Sequence, residues 1–337
     1  MRTVITGVSG LLGGNLAIEL LRQGHAVRAT RRASTRIEHL QGHDIDWVDA
    51  ELGDAEALAR AFDGADAVFH CAAQVSVKRT VTPGLVAANV DGTRHVLAAM
   101  RGAGRLIHCS SVVAVGAMEG DEPCTEAARW NLAEHGLDDG YSVTKRDAEA
   151  LVRAAAQAGQ DAVIVNPCFM FGPYDARPSS GKLIVDVVRG KAPGWTPGFN
   201  NFVDVRDVAR GMILAWERSA AGERYILGGE NMCYRDIMAR IAAIAGVRAP
   251  TWRVPRWIAG LLGRVGDVKE ALTGREPLIN SVTIRYGFCP LFQFSSEKAR
   301  ARLGYAPGPI DPAIADALAW FRARGMLPAV AGRGRAL

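Results

Sequence analysis

Short runs of apolar and β-branched residues alternate along the first half of the chain with longer stretches in which apolar side chains return every three or four positions. This is the pattern of strands and helices in βαβ units. It predicts strands at Thr3–Thr6, Ala26–Thr30, Asp44–Val48, Ala67–His70, Arg105–Cys109 and Ala162–Val165. Between them it predicts helices at Leu11–Gln23, briefly from Ser34, and at Glu56–Phe62, Leu85–Arg101 and Tyr141–Gln157. Most of these strands are short and largely apolar, as expected for a parallel sheet covered on both faces. Residues Val112–Gly140, rich in Gly, Asp and Glu, predict a long loop.

After Pro167 the punctuation changes. Pro167, Pro173, Pro178, Pro193 and Pro197 surround one helix near Lys182–Arg189, which predicts an irregular, pocket-lining stretch. A helix at Asp207–Arg218, a strand at Arg224–Leu227 and a helix at Tyr234–Ala245 follow. Short helices are predicted across Ala249–Ala306 and a last one at Pro312–Arg324, before a Gly/Arg/Ala tail at Ala329–Leu337. The fold class is therefore α/β: a Rossmann-type doubly wound parallel sheet with a smaller, mostly α-helical C-terminal substrate domain.

Composition narrows this picture. The chain has 337 residues, 49% apolar and 22% charged, so collagen, coiled coil and disorder are excluded. Forty basic against 35 acidic residues give a net charge of +5, without a basic run dense enough to mark a nucleic-acid partner. No apolar stretch reaches the ~18–20 residues of a membrane span, and the start MRTVITG lacks a signal-peptide core, so a cytoplasmic protein is expected. Six scattered cysteines form no C-x-x-C and sit at no metal-ligand spacing; no metal site is expected.

Candidate chemistry begins directly after the first strand. In T-G-V-S-G-L-L-G, Gly7, Gly10 and Gly13 stand between strand and helix, where a tight turn, close backbone approach to a pyrophosphate and close helix packing each demand glycine. A dinucleotide is thus expected against Thr6, Gly7, Gly10, Leu11, Leu12 and Gly13. The next strand ends V-R-A-T-R-R, with no carboxylate before Glu38; Arg31 and Arg32 suit a ribose 2′-phosphate and favour NADP(H), with NAD as the alternative. Glu51 and Leu52, after the third strand, are candidates for the adenine.

Tyr141 and Lys145, in Y-S-V-T-K, share one helix face. A phenol with a pKa near 10 needs a cation to act as a base, and Lys145 is placed to lower it. Ser110 and Ser111 end the fifth strand, at the carboxyl edge where open parallel sheets bind ligands.

These motifs, with His70-Cys71-Ala72-Ala73, Asn89-Val90-Asp91-Gly92-Thr93 and Phe202-Val203-Asp204-Val205-Arg206-Asp207, resemble an extended short-chain dehydrogenase/reductase of the NAD-dependent epimerase/dehydratase family. The likeness runs over essentially the whole chain. It implies Ser111, Tyr141 and Lys145 as the catalytic triad, with Tyr141 the acid/base and Lys145 also a cofactor ligand. Ala72, Ala73, Asn89 and Pro167 would complete the cofactor site, Asn89 by ordering the fold or a proton relay. The layout expected is 1–165 for NADP binding, with the sheet completed by about 202–228, then 166–201 and 229–325 for substrate, and 326–337 as tail.

Two branches of the family stay open. GERYILGGEN and LTGREP resemble hopanoid-associated sugar epimerases, whereas V-R-A-T-R-R resembles dihydroflavonol-type reductases. Phe169 and Asn200 stand where many nucleotide-sugar members carry a diphosphate-binding Asn and Arg, which favours reduction of a hydrophobic, lipid-like ketone, a keto-sphingolipid for example. A non-catalytic dinucleotide sensor on the same fold is the reading from another class. Gln74, Phe169, Met170 and Trp195 are the candidate substrate-pocket residues. A helical-period stripe, Trp257, Ile258, Leu261, Leu262, Val265 and Val268, is expected to pack as core of the small domain; with Arg253, Arg256 and Arg264 beside it, the other reading is a peripheral membrane contact. Family analogy adds a homodimer.

Overall fold

The computed structural model describes residues 1–277 and 279–328, so the tail expected at 329–337 lies outside the described residues. Seven parallel strands form the main sheet: β1 (Arg2–Thr6), β2 (Ala26–Arg31), β3 (Ile45–Asp49), β4 (Ala67–His70), β5 (Arg105–Cys109), β6 (Ala162–Pro167) and β9 (Arg224–Leu227), in the order β3-β2-β1-β4-β5-β6-β9. The order reverses between β1 and β4, which opens a crevice at the carboxyl ends of those two strands. Every residue of β4 and β6 is buried, which is why these strands read as largely apolar runs.

Helices cover both faces. On one, α1 (Leu11–Arg22) and α7 (Val205–Arg218) pack against each other through residues such as Leu16, Leu20, Met212 and Ile213. On the other, α2 (Ala55–Phe62), α4 (Gly92–Ala99) and α5 (Gly140–Gln157) contribute Leu58, Phe62, Val96 and Val152. The helix expected at Leu85–Arg101 is interrupted: α3 (Pro83–Leu85) leads through a π-helical turn at Val86–Asp91 into α4. Such widened turns re-aim one side chain, and here that side chain is Asn89.

The C-terminal half departs further from expectation. Residues 202–228 do not all complete the main sheet; only β9 does, while β8 (Phe199–Asp204) joins β7 (Phe169–Phe171) and β10 (Glu230–Cys233) in a separate three-stranded sheet, order β10-β8-β7. These strands are three to six residues long and pair across as many as 34 positions, Cys233 with Phe199 and Phe169 with Phe202 among them, so no local pattern announces them. Their core is shared with α6 (Lys182–Val188), α8 (Tyr234–Ala245) and α12 (Asp311–Ala323) through Phe171, Phe202, Ile237, Ile314 and Phe321.

The stretch expected as short helices contains one 18-residue helix, α9 (Arg256–Thr273), then α10 (Ser281–Phe288) and α11 (Glu297–Leu303). The apolar stripe on α9 is not core: Trp257 is 73% exposed and Leu261 58%. The protein-facing side of α9 is instead Ala259, Gly263 and Gly266, and a Cβ on Gly266 would lie 1.8 Å from the Ile279 carbonyl oxygen. Small residues bring that backbone close and turn the bulky ones outward.

Candidate active site

The glycine turn separates into two jobs. Gly7 has φ +77°, and a Cβ there would meet the Ala72 amide nitrogen at 2.5 Å; at Gly13 it would meet the Gly7 carbonyl oxygen at 2.4 Å. Both are demanded by the protein itself. At Gly10 the nearest atom would be 3.4 Å away, so nothing in the chain forbids a side chain there. Gly10 is also the N-cap of α1, without a side-chain cap or an acidic residue in the first turn. The first-turn N–H groups at Leu11, Leu12 and Gly13 thus face a space that Gly10 leaves clear, which fits a pyrophosphate.

The Thr6 hydroxyl is turned away from that space. It is buried and pairs with His70 Nδ1 at 2.7 Å, while His70 Nε2 pairs with Thr93 Oγ1 at 3.1 Å and the Thr93 hydroxyl donates to the Asn89 carbonyl at 2.7 Å. This chain fastens the crevice floor from β1 to the π-helical turn. Burial, reinforced by Lys145, lowers the His70 pKa to about 3, and His108 beside it is driven down for the same reasons, so both imidazoles are neutral.

At the end of β2 the two arginines differ. Arg31 donates to Asp49 at 2.9 Å and lies over the Trp47 ring, whereas Arg32 is exposed and joins no ion pair among the described residues. Arg32 is accordingly the guanidinium available to a phosphate. Glu51 is exposed and Leu52 half-buried against the start of α4, where a Cβ on Gly92 would meet Leu52 Cδ1 at 2.9 Å. Ala72 and Ala73 follow β4 beside Gly7, with Ala72 half-buried and Ala73 exposed. Asn89 is fully engaged: its Oδ1 accepts from the Gln74 amide at 2.7 Å, and its Nδ2 donates to the Gln74 carbonyl at 3.0 Å and to Thr144 Oγ1 at 3.1 Å. It therefore orders the Gln74 segment against α5 and has no N–H left for a ligand.

Asp139 caps α5, accepting from the Tyr141 and Ser142 amides at 2.9 and 3.1 Å and from the Tyr286 hydroxyl at 2.6 Å. The cap places Tyr141 at the mouth of the crevice, near enough to the Ser111 hydroxyl for that hydroxyl to ease the ionisation of its phenol. Lys145, one turn on and buried, donates to the Cys109 carbonyl at 2.7 Å. The structure thus brings Ser111, Tyr141 and Lys145 together at the ends of β4 and β5. It corrects one expectation: the Tyr141 phenol lies above its ordinary pKa rather than below it, because burial dominates and the Lys145 ammonium is anchored on a carbonyl instead of on the phenol. Burial also pulls the Lys145 pKa down.

Glu149 was not foreseen. It is a buried carboxylate that accepts from Ser110 Oγ at 2.6 Å, Asn166 Nδ2 at 2.7 Å and Arg224 Nη1 at 2.8 Å, and the same Asn166 Nδ2 donates to the Ser111 carbonyl at 2.9 Å. This network sets the corner that presents Ser111. The available signal was its spacing, since Glu149 continues the Tyr141, Lys145 series by four.

Among the residues expected to line a substrate pocket and their neighbours, Pro167 ends β6 opposite Leu227. Phe169 stacks edge-on against Phe171 and Phe202 with centroids 5.6 and 5.5 Å apart, and Met170 packs against the main core. Trp195 lies between Arg235 and Arg253, its amide bonded to the Trp252 carbonyl at 2.9 Å. Gln74 is exposed at the crevice edge. Asn200 donates to the Tyr234 hydroxyl at 3.3 Å and accepts from the Asn201 amide at 2.9 Å.

Known proteins resemble this chain over most of its length. Residues 3–228 match the model of the NAD dependent epimerase/dehydratase family. A protein of Synechocystis sp. with the provisional name dihydroflavonol 4-reductase is 37% identical over 328 residues, covering 95% of this chain and 94% of its own. The 4-hydroxy-2-methyl-3-oxo-4-farnesyl-3,4-dihydroquinoline-1-oxide ketoreductase of Stigmatella aurantiaca is 31% identical over 317 residues, 91% of this chain and 92% of its own. Among solved structures, that of gox2253 superposes with a TM-score of 0.83 at 33% identity, over 97% of this chain and 99% of that one.

Proposed function

We propose that this chain, which belongs to the NAD-dependent epimerase/dehydratase family, is an NADP(H)-dependent reductase that converts a ketone of a hydrophobic, lipid-like substrate to an alcohol. The observation that carries the choice of branch is the substrate wall. Phe169 is an apolar ring locked in an aromatic cluster, and Asn200 is an uncharged amide turned to the Tyr234 hydroxyl and the Asn201 amide, so the first position has no donor and the second no cation for a sugar-linked diphosphate. The ketoreductase and reductase names of its relatives support the same reading.

Gly10, with the amides of Leu11, Leu12 and Gly13, would hold the cofactor pyrophosphate, and Arg32 its 2′-phosphate. When bound, NADPH supplies the hydride that the carbonyl carbon accepts. The Ser111 hydroxyl donates a hydrogen bond to the carbonyl oxygen, and Tyr141 delivers its phenolic proton to that oxygen as negative charge develops there. A phenol raised by burial stays protonated at neutral pH, which suits the donor role. The buried Lys145 ammonium offsets the phenolate left behind until solvent returns a proton.

The test pairs two measurements on purified protein: oxidation of NADPH and NADH in the presence of hydrophobic ketones, and mass spectrometry of small molecules released on denaturation. The reductase reading expects turnover with NADPH preferred and no retained NAD. Retained NAD, with protection by a nucleoside diphosphate and no ketone turnover, would establish the epimerase or dehydratase reading instead.

A further inference from the structure

We infer that the outward face of α9 docks the protein on an anionic lipid surface. Trp257, Leu261, Val265, Val268 and Leu272 recur at intervals of four, four, three and four residues, which aligns them in a stripe about a quarter-turn wide. All five are exposed, up to 81% at Leu272. Among the described residues α9 carries half of the twelve exposed large apolar side chains, a concentration that scattered surface leucines do not produce. The opposite face buries Ala259 and closes through Gly263 and Gly266 against Ile279–Ser281, so the stripe has no partner among the described residues.

Charge selects the occupant. At 100° per residue Arg264 and Lys269 border the stripe on its two sides; both are exposed and neither joins an ion pair among the described residues. The two acids of the helix point the other way: Asp267 accepts from the Ser281 amide at 3.0 Å and lies 3.6 Å from Arg79, and Glu270 accepts from Asn280 Nδ2 at 3.4 Å. A two-fold copy of this face would set cations against an apolar stripe bordered by cations, with no carboxylate to receive them. A bilayer bearing anionic headgroups meets both needs, taking the stripe into its acyl boundary and Arg264 and Lys269 at its headgroups. No helix among the described residues is long and apolar enough to cross a membrane, so α9 lies on the surface.

The placement of α9 connects this surface to the crevice. Beyond its C-terminal end, Lys78 Nζ donates to the Gly274 carbonyl at 2.9 Å, and the Glu276 carboxylate accepts from Ser76 Oγ at 2.9 Å and the Val77 amide at 2.7 Å. That loop runs straight on from Ala72–Gln74. Ahead of its N-terminal end, Trp252 pairs with Trp195 on the substrate side. Docking here sets the crevice mouth toward the bilayer, where a lipid-like ketone resides; this last link rests on the reductase reading, while docking itself does not.

The experiment is flotation of the full-length protein with vesicles of phosphatidylcholine alone and of phosphatidylcholine mixed with phosphatidylglycerol. Binding is expected to the mixed vesicles, falling as salt is raised. It should drop roughly tenfold or more in Leu261→Asn/Val265→Asn and about fivefold for each of Arg264→Gln and Lys269→Gln. Circular dichroism confirms that each variant is folded. Absence of binding to mixed vesicles, or undiminished binding by the Leu261→Asn/Val265→Asn variant, overturns the proposal. So does sedimentation showing a dimer that this double variant disperses. Vesicle binding without ketone turnover would leave docking standing and remove the reductase reading; turnover without vesicle binding would do the reverse.

Discussion

The turn between β1 and α1 and the seat of α9 use the same device to opposite ends. In both, glycine lets backbone approach backbone, Gly7 and Gly13 against β4 and each other, Gly263 and Gly266 against Ile279–Ser281. At the first, close approach leaves uncapped N–H groups facing a cleared space. At the second it turns an apolar stripe out to solvent. Close packing alone therefore does not tell a site from a seat; what the approach leaves exposed does.

The largest expected effect breaks the first region. Gly13→Ala sets a methyl against the Gly7 carbonyl and should destabilise the fold by about 3 kcal/mol or more, read from chemical denaturation. Gly10→Ala should leave the unfolding free energy within about 0.5 kcal/mol of the parent and weaken NADPH binding, because no atom of the chain needs that space. Equal losses of stability at the two positions would erase the distinction drawn between them. In the second region, Gly266→Ala should cost stability without changing NADPH affinity, since its clash lies in the seat of α9.

A smaller effect divides the two arginines. Arg32→Ala should weaken NADPH by roughly 1.5–3 kcal/mol and leave NADH nearly unchanged. Arg31→Ala should do less, because Arg31 is already committed to Asp49 and Trp47. Isothermal titration with both nucleotides measures the difference, and a larger loss at Arg31 would reverse the assignment.

The floor shared by the crevice gives the gentlest test. His70 is held neutral with a folded pKa of about 3, against about 6.5 in an unfolded chain. Above about pH 6.5 neither state carries the proton; as the pH falls below that, the unfolded state binds it and the folded state does not. Stability is therefore full above pH 6.5 and declines toward pH 3, by about 1.4 kcal/mol per pH unit for each such imidazole. Thermal melts between pH 7 and pH 5 should show this slope, with His108 adding in the same direction. His70→Asn should roughly halve it, His108 supplying the rest; an unchanged slope would place the titrating group elsewhere.

What was legible in the sequence divides along the same line. The main-sheet strands through β6, together with β9, the glycine turn and the Tyr141, Lys145 pair were readable, because each is set by neighbours within a few residues: strand then turn then helix, or one helical turn. The second sheet was not, because β7, β8 and β10 owe their pairing to partners far along the chain. For α9 the amphipathic period was visible but not its orientation, which depends on the Gly263–Gly266 face finding Ile279 through a turn. Glu149 was hidden because a carboxylate on a helix reads as solvated until strand β5 and Arg224 close over it. The upward displacement of the Tyr141 phenol followed from burial, which spacing does not report.

The account turns on Tyr141 as the proton donor of a reduction. The most direct measurement is NADPH consumption with a hydrophobic ketone by the parent and by Tyr141→Phe, alongside NADPH titrations of both. The expected result is a loss of turnover of about 10²–10⁴-fold with cofactor affinity unchanged. A Tyr141→Phe protein that turns over at the parent rate would contradict it.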